Sequence, residues 1–276
     1  MRIPSTHADD QPTPALSDHA GARLTSRLRL DPVTKSHADD LWLVHSDDEV
    51  WPWYSAHKPT RGQIERRAAL MDESWRLHGV HKWIAYQRDD GQVVGRGGLS
   101  RTAADADWGQ IYEFLPDEPW TREAHDAPFP FTAHANWLEI GWAVRHEFRG
   151  LGYASEIGRA GLAFAFTVLG ANAVVSCTLR HNAPSRAVME RIGMRYAGEI
   201  KSRGLINGAT REQDDAPYVV HVLLRDEWQG VPATGASRGQ PRATEAAQGR
   251  RSGPGRRGIT PIPTLTTRVR FPSSPA

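Results

Sequence analysis

The sequence predicts a single α/β domain, a β-sheet covered by helices on both faces, and three observations predict it. Between about Leu24 and Trp228 apolar and charged residues mix as in a domain with one sizeable core, whereas both ends lack that mixture. Two strand-like runs, Trp137–Val144 and Ala173–Leu179, flank a helical pattern over 154–169. Ahead of them stands another helical stripe, in which Ile64, Ala68, Met71 and Trp75 recur at helical spacing.

Residues 1–22, rich in Pro, Ser, Thr and Asp, are expected to be disordered. Leu24, Leu28 and Leu30 alternate as an opening strand. Ser36 fits an N-cap before a helix carrying Ala38, Leu41 and Val44, and Thr60-Arg-Gly-Gln63 is a capping-box pattern. Trp83–Gln87 and Val93–Leu99 flank Asp90-Gly91, so they form a hairpin. Residues 102–136 make a long insertion without clear periodicity. Its aromatic residues, Trp108, Tyr112, Phe114, Trp120, Phe129 and Phe131, argue for a packed lid. After the strand 137–144 come the turn Gly150–Gly152 and a helix with Ile157, Gly161, Phe164, Ala165 and Val168 on one face. Asn182-Ala-Pro-Ser starts the next helix, Gly193 stops it, and Arg195–Ile200 and Tyr218–Leu224 supply the last strands. Residues 231–276, dominated by Gly, Pro, Arg, Ser and Thr, are expected to be a disordered tail.

Charge is unevenly spread. The net +2 combines a tail beyond residue 230, with eight arginines and one glutamate, and a body of net −5. The basic character therefore belongs to the tail, and an acidic body does not favour nucleic acid. A single cysteine, Cys177, forms no intrachain disulfide and fits a reducing compartment. The amino-terminal stretch has no apolar run of the signal-peptide kind. Ala160–Val175 falls short of a membrane span and contains Gly161 and Gly170. A cytoplasmic protein without membrane contact is the expectation. Twelve histidines invite a metal reading, but His78 and His81, the closest ordered pair, have no ligand spaced to complete a site, so no metal is expected.

The segment that carries chemistry is Arg149-Gly150-Leu151-Gly152-Tyr153-Ala154, where a strand gives way to a helix through two glycines. Such a turn presents a row of backbone N–H groups beside a helix N-terminus, which together suit a diphosphate. Arg149 can add a full charge, and small residues at 150, 152 and 154 allow close approach. No Lys-Ser/Thr follows, which excludes a nucleoside-triphosphate P-loop, and Ser155 stands where a dinucleotide fingerprint wants a third glycine.

This Arg-x-x-Gly-x-Ala element resembles the Gln/Arg-x-x-Gly-x-Gly/Ala signature of the GNAT superfamily of N-acetyltransferases. Leu138-Glu-Ile-Gly-Trp142 resembles that family's central strand, and Asn182-Ala-Pro-Ser185…Glu190-Arg-Ile-Gly193-Met194 its downstream helix. The resemblance covers about Leu24 to Trp228 and is nearest to the branch acting on the serine or alanine N-termini of ribosomal proteins. It implies a domain over 23–230 with a mixed, mostly antiparallel sheet of about seven strands, splayed at a central parallel pair. It also implies acetyl-CoA as co-substrate, with the pantetheine arm bonded by the backbone of Trp142, Ala143 and Val144. Gly150, Leu151, Gly152, Tyr153 and Ala154 would then hold the diphosphate with Arg149.

The implied reaction is direct attack of a primary amine, either a protein N-terminus or a small molecule, on the thioester. No side-chain nucleophile is needed, and Cys177 reads as a packing residue. Glu139, on the face it shares with Gly141, is the candidate base, acting through a water, its alternative being a plain edge-facing or salt-bridged carboxylate. The tyrosine that many members carry four residues after the motif serine is Met189 here. Ser185 or a water could serve as acid instead, or Ser185 could only cap its helix. Asn182 combines a CoA contact with an N-cap. Trp51-Pro-Trp53-Tyr54 would wall the acceptor cleft or simply pack. The acidic body suits a cationic acceptor, the assembly would be a monomer or homodimer, and the rival function is a non-catalytic CoA-binding module.

Overall fold

The computed structural model describes residues 20–101, 108–126, 137–205 and 212–230, all within one compact unit, Met1–Pro232. Of the segment 1–22 expected to be disordered, residues 1–19 lie outside them, as do the tail 231–276 and residues 102–107 and 127–136 of the insertion; Gly21 and Ala22 are instead packed, Gly21 O accepting from Trp83 Nε1 at 2.8 Å.

Eight strands form one sheet in the order β1-β2-β3-β4-β5-β6-β8-β7. They are β1 (Arg23–Leu24), β2 (Leu28–Pro32), β3 (Lys82–Gln87), β4 (Val93–Ser100), β5 (Trp137–Val144), β6 (Ala173–Leu179), β7 (Arg195–Gly204) and β8 (Gln213–Leu224). Every pairing is antiparallel except β5 with β6. The strand beyond the expected seven is β1, a two-residue strand too short for periodicity to reveal. Strands β7 and β8 also run further than the apolar pattern indicated. Their added halves are paired, as in Lys201↔Pro217 and Gly204↔Gln213, but in β7 the buried positions are Ser202 and Gly204 and in β8 residues 213–215 are exposed, so no apolar alternation marks them.

Among the described residues there are five α-helices: α1 (Ala38–His45), α2 (Arg61–His78), α3 (Pro119–Asp126), α4 (Tyr153–Thr167) and α5 (Ala183–Arg191). The capping box of α2 is formed: Thr60 accepts from Gln63 N and Gln63 reaches back to Thr60 N at 2.8 Å. At α1 the expected cap is displaced. A 3-10 turn, Lys35–His37, precedes the helix and is opened by Thr34, whose N–H donates to His37 Nδ1, so Ser36 lies inside the turn. Helix α4 uses Ile157, Phe164 and Ala165 as predicted, but Val168 is exposed because the helix ends at Thr167. Gly161 lets α4 lie against β5; a Cβ there would come within 2.7 Å of Ile140 Cδ1.

Helices α4 and α5 cover one face of the sheet, over Leu28, Leu30, Val94, Leu138, Ile140 and Val174. The other face carries two separate apolar clusters. Under α1 and α2 lie Leu41, Val44, Ile64, Ala68, Ile84 and Tyr86. Under the described part of the insertion, Ile111 and Leu115 are buried on Trp137, Val175, Ile200 and Val220. Half of the aromatic insertion is thus a core-forming cap over the C-terminal strands. Between the two clusters the same face carries polar side chains, and these belong to the site.

Candidate active site

Gly150 and Gly152 take the positive φ values +76° and +85°, and Gly152 is the N-cap of α4. Both conformations are left-handed, which glycine adopts without a Cβ clash. They turn the chain so sharply that the amides of Gly150 to Ser155 donate to no described residue; the next amide, Glu156 N, is the first to close a turn, on Gly152 O. Six successive N–H groups at a helix N-terminus are an anion cradle.

Two cations stand near this cradle, each with a carboxylate partner. Arg149 turns to Glu49, donating to its carboxylate and its carbonyl oxygen. Arg27, from the turn before β2, donates to Leu151 O at 2.9 Å, lies 4.3 Å over the Tyr153 ring and stands 3.5 Å from where a Gly152 Cβ would be. It also pairs with Glu156 in the first turn of α4, at 2.7 Å. Burial pushes the Glu156 carboxyl up, yet hydrogen bonds from Thr25 and Arg27 outweigh it and leave the pKa below the usual range. On the far side Arg191 donates to Ser155 Oγ at 3.3 Å.

Upstream, the parallel pairing of β5 with β6 holds only from Trp137↔Ala173 to Glu139↔Val175. Strand β5 stays on β4 as far as Val144↔Gly95, and β6 stays on β8 as far as Leu179↔Tyr218. Ser176 Oγ to Ile140 O, 2.9 Å, is the last bond across, so the two strands part from Gly141 onward. Trp142, Ala143 and Val144 line the parted end. Two aromatic residues from the α1–α2 connection span its mouth: Tyr54 donates its hydroxyl to Trp142 O at 2.8 Å, and Trp53 stacks on His181 with centroids 5.4 Å apart.

At the start of α5, Asn182 Oδ1 accepts from Ser185 N at 3.2 Å, which makes Asn182 the N-cap and leaves the Ser185 hydroxyl free of any described partner. Ser185 is half-buried, whereas Met189 is fully buried in the core under α4 and α5. Cys177, half-buried, packs on the cap side; burial and then the charge of Glu139 push its thiol well up, which suits packing and not nucleophilic attack.

Glu139 is held by a partner that sequence reading missed. Lys82 Nζ, from β3 on the same face of the sheet, donates to Glu139 Oε2 at 2.6 Å and to Gly98 O at 2.9 Å, and Ser100 Oγ donates to the same Oε2 at 2.8 Å. The Lys82 side chain is 7% exposed and Glu139's is 20%. Oxygen Oε1 is the one left over, 2.9 Å from where a Cβ on Gly141 would sit, so it faces the point at which the strands part. A lone lysine in the otherwise apolar run Lys82-Trp-Ile-Ala-Tyr was the available signal.

The residue before Lys82 gives the site region a pH dependence. Burial, with the charges of Lys82 and Arg96, pushes His81 down to about 3 from its ordinary 6.5, and its Nδ1 is buried without a bond. Between those values the unfolded chain binds the proton that the folded one refuses, so stability falls as pH drops. From pH 7.5 to pH 5, urea unfolding should show the wild type losing about 1–2 kcal/mol more than His81→Gln. Equal losses in the two proteins would remove His81 as the cause.

Residues 27–195 match the family model for an acetyltransferase (GNAT) domain. Over 92 residues the chain is 35% identical to YdaF of Bacillus subtilis (strain 168), provisionally named a ribosomal N-acetyltransferase; this covers 33% of the chain and 48% of YdaF. It is 25% identical over 206 residues, 74% of the chain and 76% of the relative, to an FsC-acetyl coenzyme A-N(2)-transacetylase of Aspergillus fumigatus. In fold it is similar to the ribosomal-protein-S5-alanine acetyltransferase of Vibrio fischeri, with TM-score 0.54 and 14% identity, covering 75% of the chain and 98% of that structure. The matched segment thus spans about half the length of its Bacillus relative.

Proposed function

The chain belongs to the GNAT acetyltransferase family, and from that premise we propose that it moves an acetyl group from acetyl-CoA to a primary amine. The observation that carries the proposal is the run of free amides from Gly150 to Ser155, set just beyond the point where β5 and β6 part. A diphosphate fits that cradle, with Arg27 as its nearest cation and Asn182 and Ser185 on the opposite wall. The gap between the strands admits a narrow arm along Trp142, Ala143 and Val144. Domain boundaries of 23–230 follow the same reading.

In this site the acceptor nitrogen attacks the thioester carbonyl carbon; the C–N bond forms, the C–S bond breaks and the thiolate leaves. The ammonium proton passes, through a water, to Glu139 Oε1, the oxygen that Lys82 and Ser100 leave uncommitted. An α-amino group with pKa about 7.7–8.0 needs less help than a lysine near 10.4. Ser185, whose hydroxyl is uncommitted at the positive end of α5, is the candidate donor to the thiolate. Met189, buried in the core, plays no part in that step.

The relatives' names divide the acceptor classes between ribosomal proteins and an N(2) amine. Thiol release from acetyl-CoA, followed on the full chain with free and N-blocked peptides and with small amines, tests the proposal. Turnover confined to free primary amines is the expected result. CoA binding with no turnover on any amine would instead leave a non-catalytic CoA-binding module.

A further inference from the structure

Resting on the acetyl-transfer reading, we propose that the acceptor cleft contains an oxyanion subsite built on Arg96, and that the acceptor is an amine carrying a carboxylate or phosphate a few bonds from its nitrogen. Arg96 lies on β4 opposite Ala143, with Gly98↔Gly141 and Ser100↔Glu139 following in register. Alternate residues of a strand share a face, so Arg96 stands in line with Gly141 and Glu139, and each step of two residues is about 7 Å. This is the polar zone between the two apolar clusters, on the face opposite α4.

Arg96 is 7% exposed and no described carboxylate pairs with it. Its bonding is confined to Nε, which reaches His45 Nε2 at 3.3 Å; its two terminal nitrogens have no hydrogen-bond partner among the described residues. A second guanidinium, from Arg67 on α2, reaches the other nitrogen of the same imidazole, His45 Nδ1, at 3.3 Å. Arg67 likewise has no described carboxylate partner. A neutral imidazole has one N–H and one lone pair, so it can accept from one of these arginines only. Burial and then the charges of Arg96 and Arg67 hold His45 well below its ordinary pKa, which keeps it neutral. The cluster therefore has two cations, a surplus of donors and one acceptor.

Buried charges are ordinarily paired, and a planar guanidinium with two free nitrogens matches an oxyanion. The position serves the reaction too. Arg96 lies 4.9 Å over the ring of Tyr54, and the hydroxyl of that ring bonds Trp142 O, on the parted end of β5. An oxyanion on Arg96 thus lies about one tyrosine length from the transfer point. The cleft's local charge opposes the net negative charge of the body, which alone would favour a cationic acceptor.

Matched acceptors test this on the full chain: alanine against alanine amide for a small-molecule source, and Ala-Glu-Ala-amide against Ala-Gln-Ala-amide for a peptide source. In at least one pair the carboxylate member should have kcat/KM higher by about 10- to 100-fold. Arg96→Met should abolish that preference while acetyl-CoA affinity is retained and melting temperature holds or rises. Arg96→Lys, which keeps the charge but not the fork, should retain part of the preference. Equal rates within both pairs, or a preference that survives Arg96→Met, overturns the subsite. If no amine turns over, the acetyl-transfer reading fails on its own account. Calorimetric titration of the same pairs then decides the subsite: carboxylate-selective binding lost in Arg96→Met supports it, and unselective binding or none refutes it.

Discussion

Gly152→Trp is expected to weaken acetyl-CoA binding by about 10²- to 10³-fold, measured by calorimetry on the full chain. The glycine sits at φ +85° as the N-cap of α4, in the middle of the free amides. A side chain there meets two penalties. The left-handed conformation costs an L residue about 1–2 kcal/mol. The new Cβ would also stand 3.5 Å from Arg27 Nη2, so an indole must displace that guanidinium or lie over the cradle. Charge-assisted hydrogen bonds are worth about 1.5–3 kcal/mol each, and losing two of them near the lower end of that range gives the stated factor. Since Gly152 is exposed, the fold should lose little more than the conformational strain. Unchanged affinity in the variant would detach the diphosphate from this turn and take the assignment of Arg27 with it.

Much of this site was readable because its signals are local. A glycine pair between strand and helix, an Asn three residues before a Ser, and Thr60 with Gln63 each constrain a few neighbouring dihedrals. The structure places all three where the spacing put them. What escaped is the set of contacts that close over long separations. Arg27 reaches Glu156, 129 positions away, Tyr54 reaches Trp142 across 88, and Lys82 reaches Glu139 across 57. Such partners depend on strand order and register, which periodicity does not encode. Hence Arg149 was conspicuous in the motif, whereas Arg27, which bonds Leu151 O in the same turn, went unremarked. Hints did exist: Lys82 and Arg96 are lone cations in strands that are otherwise apolar or glycine-rich. A buried charge within a strand asks for a partner or a ligand. Lys82 has the first, and the proposed oxyanion supplies the second to Arg96.

Lys82→Met should destabilise the fold by about 2–4 kcal/mol, because it strands a carboxylate and not because the ion pair is itself strongly favourable. Lys82 is almost wholly enclosed, and without it Glu139 would keep only the Ser100 hydroxyl, at 2.8 Å, in a site open enough to leave 20% of its side chain exposed. Removing both charges in Lys82→Met/Glu139→Gln should recover most of the loss, giving a coupling of about 1–3 kcal/mol in a double-mutant cycle. A single variant as stable as the double would mean that the pair contributes nothing beyond packing. Activity separates positioning from packing in another way. With the neighbouring ammonium gone, Oε2 loses the donor that holds the Glu139 carboxylate in place, so kcat should fall while the affinity for acetyl-CoA is unchanged. A variant that loses stability but keeps kcat would make Lys82 a structural residue only.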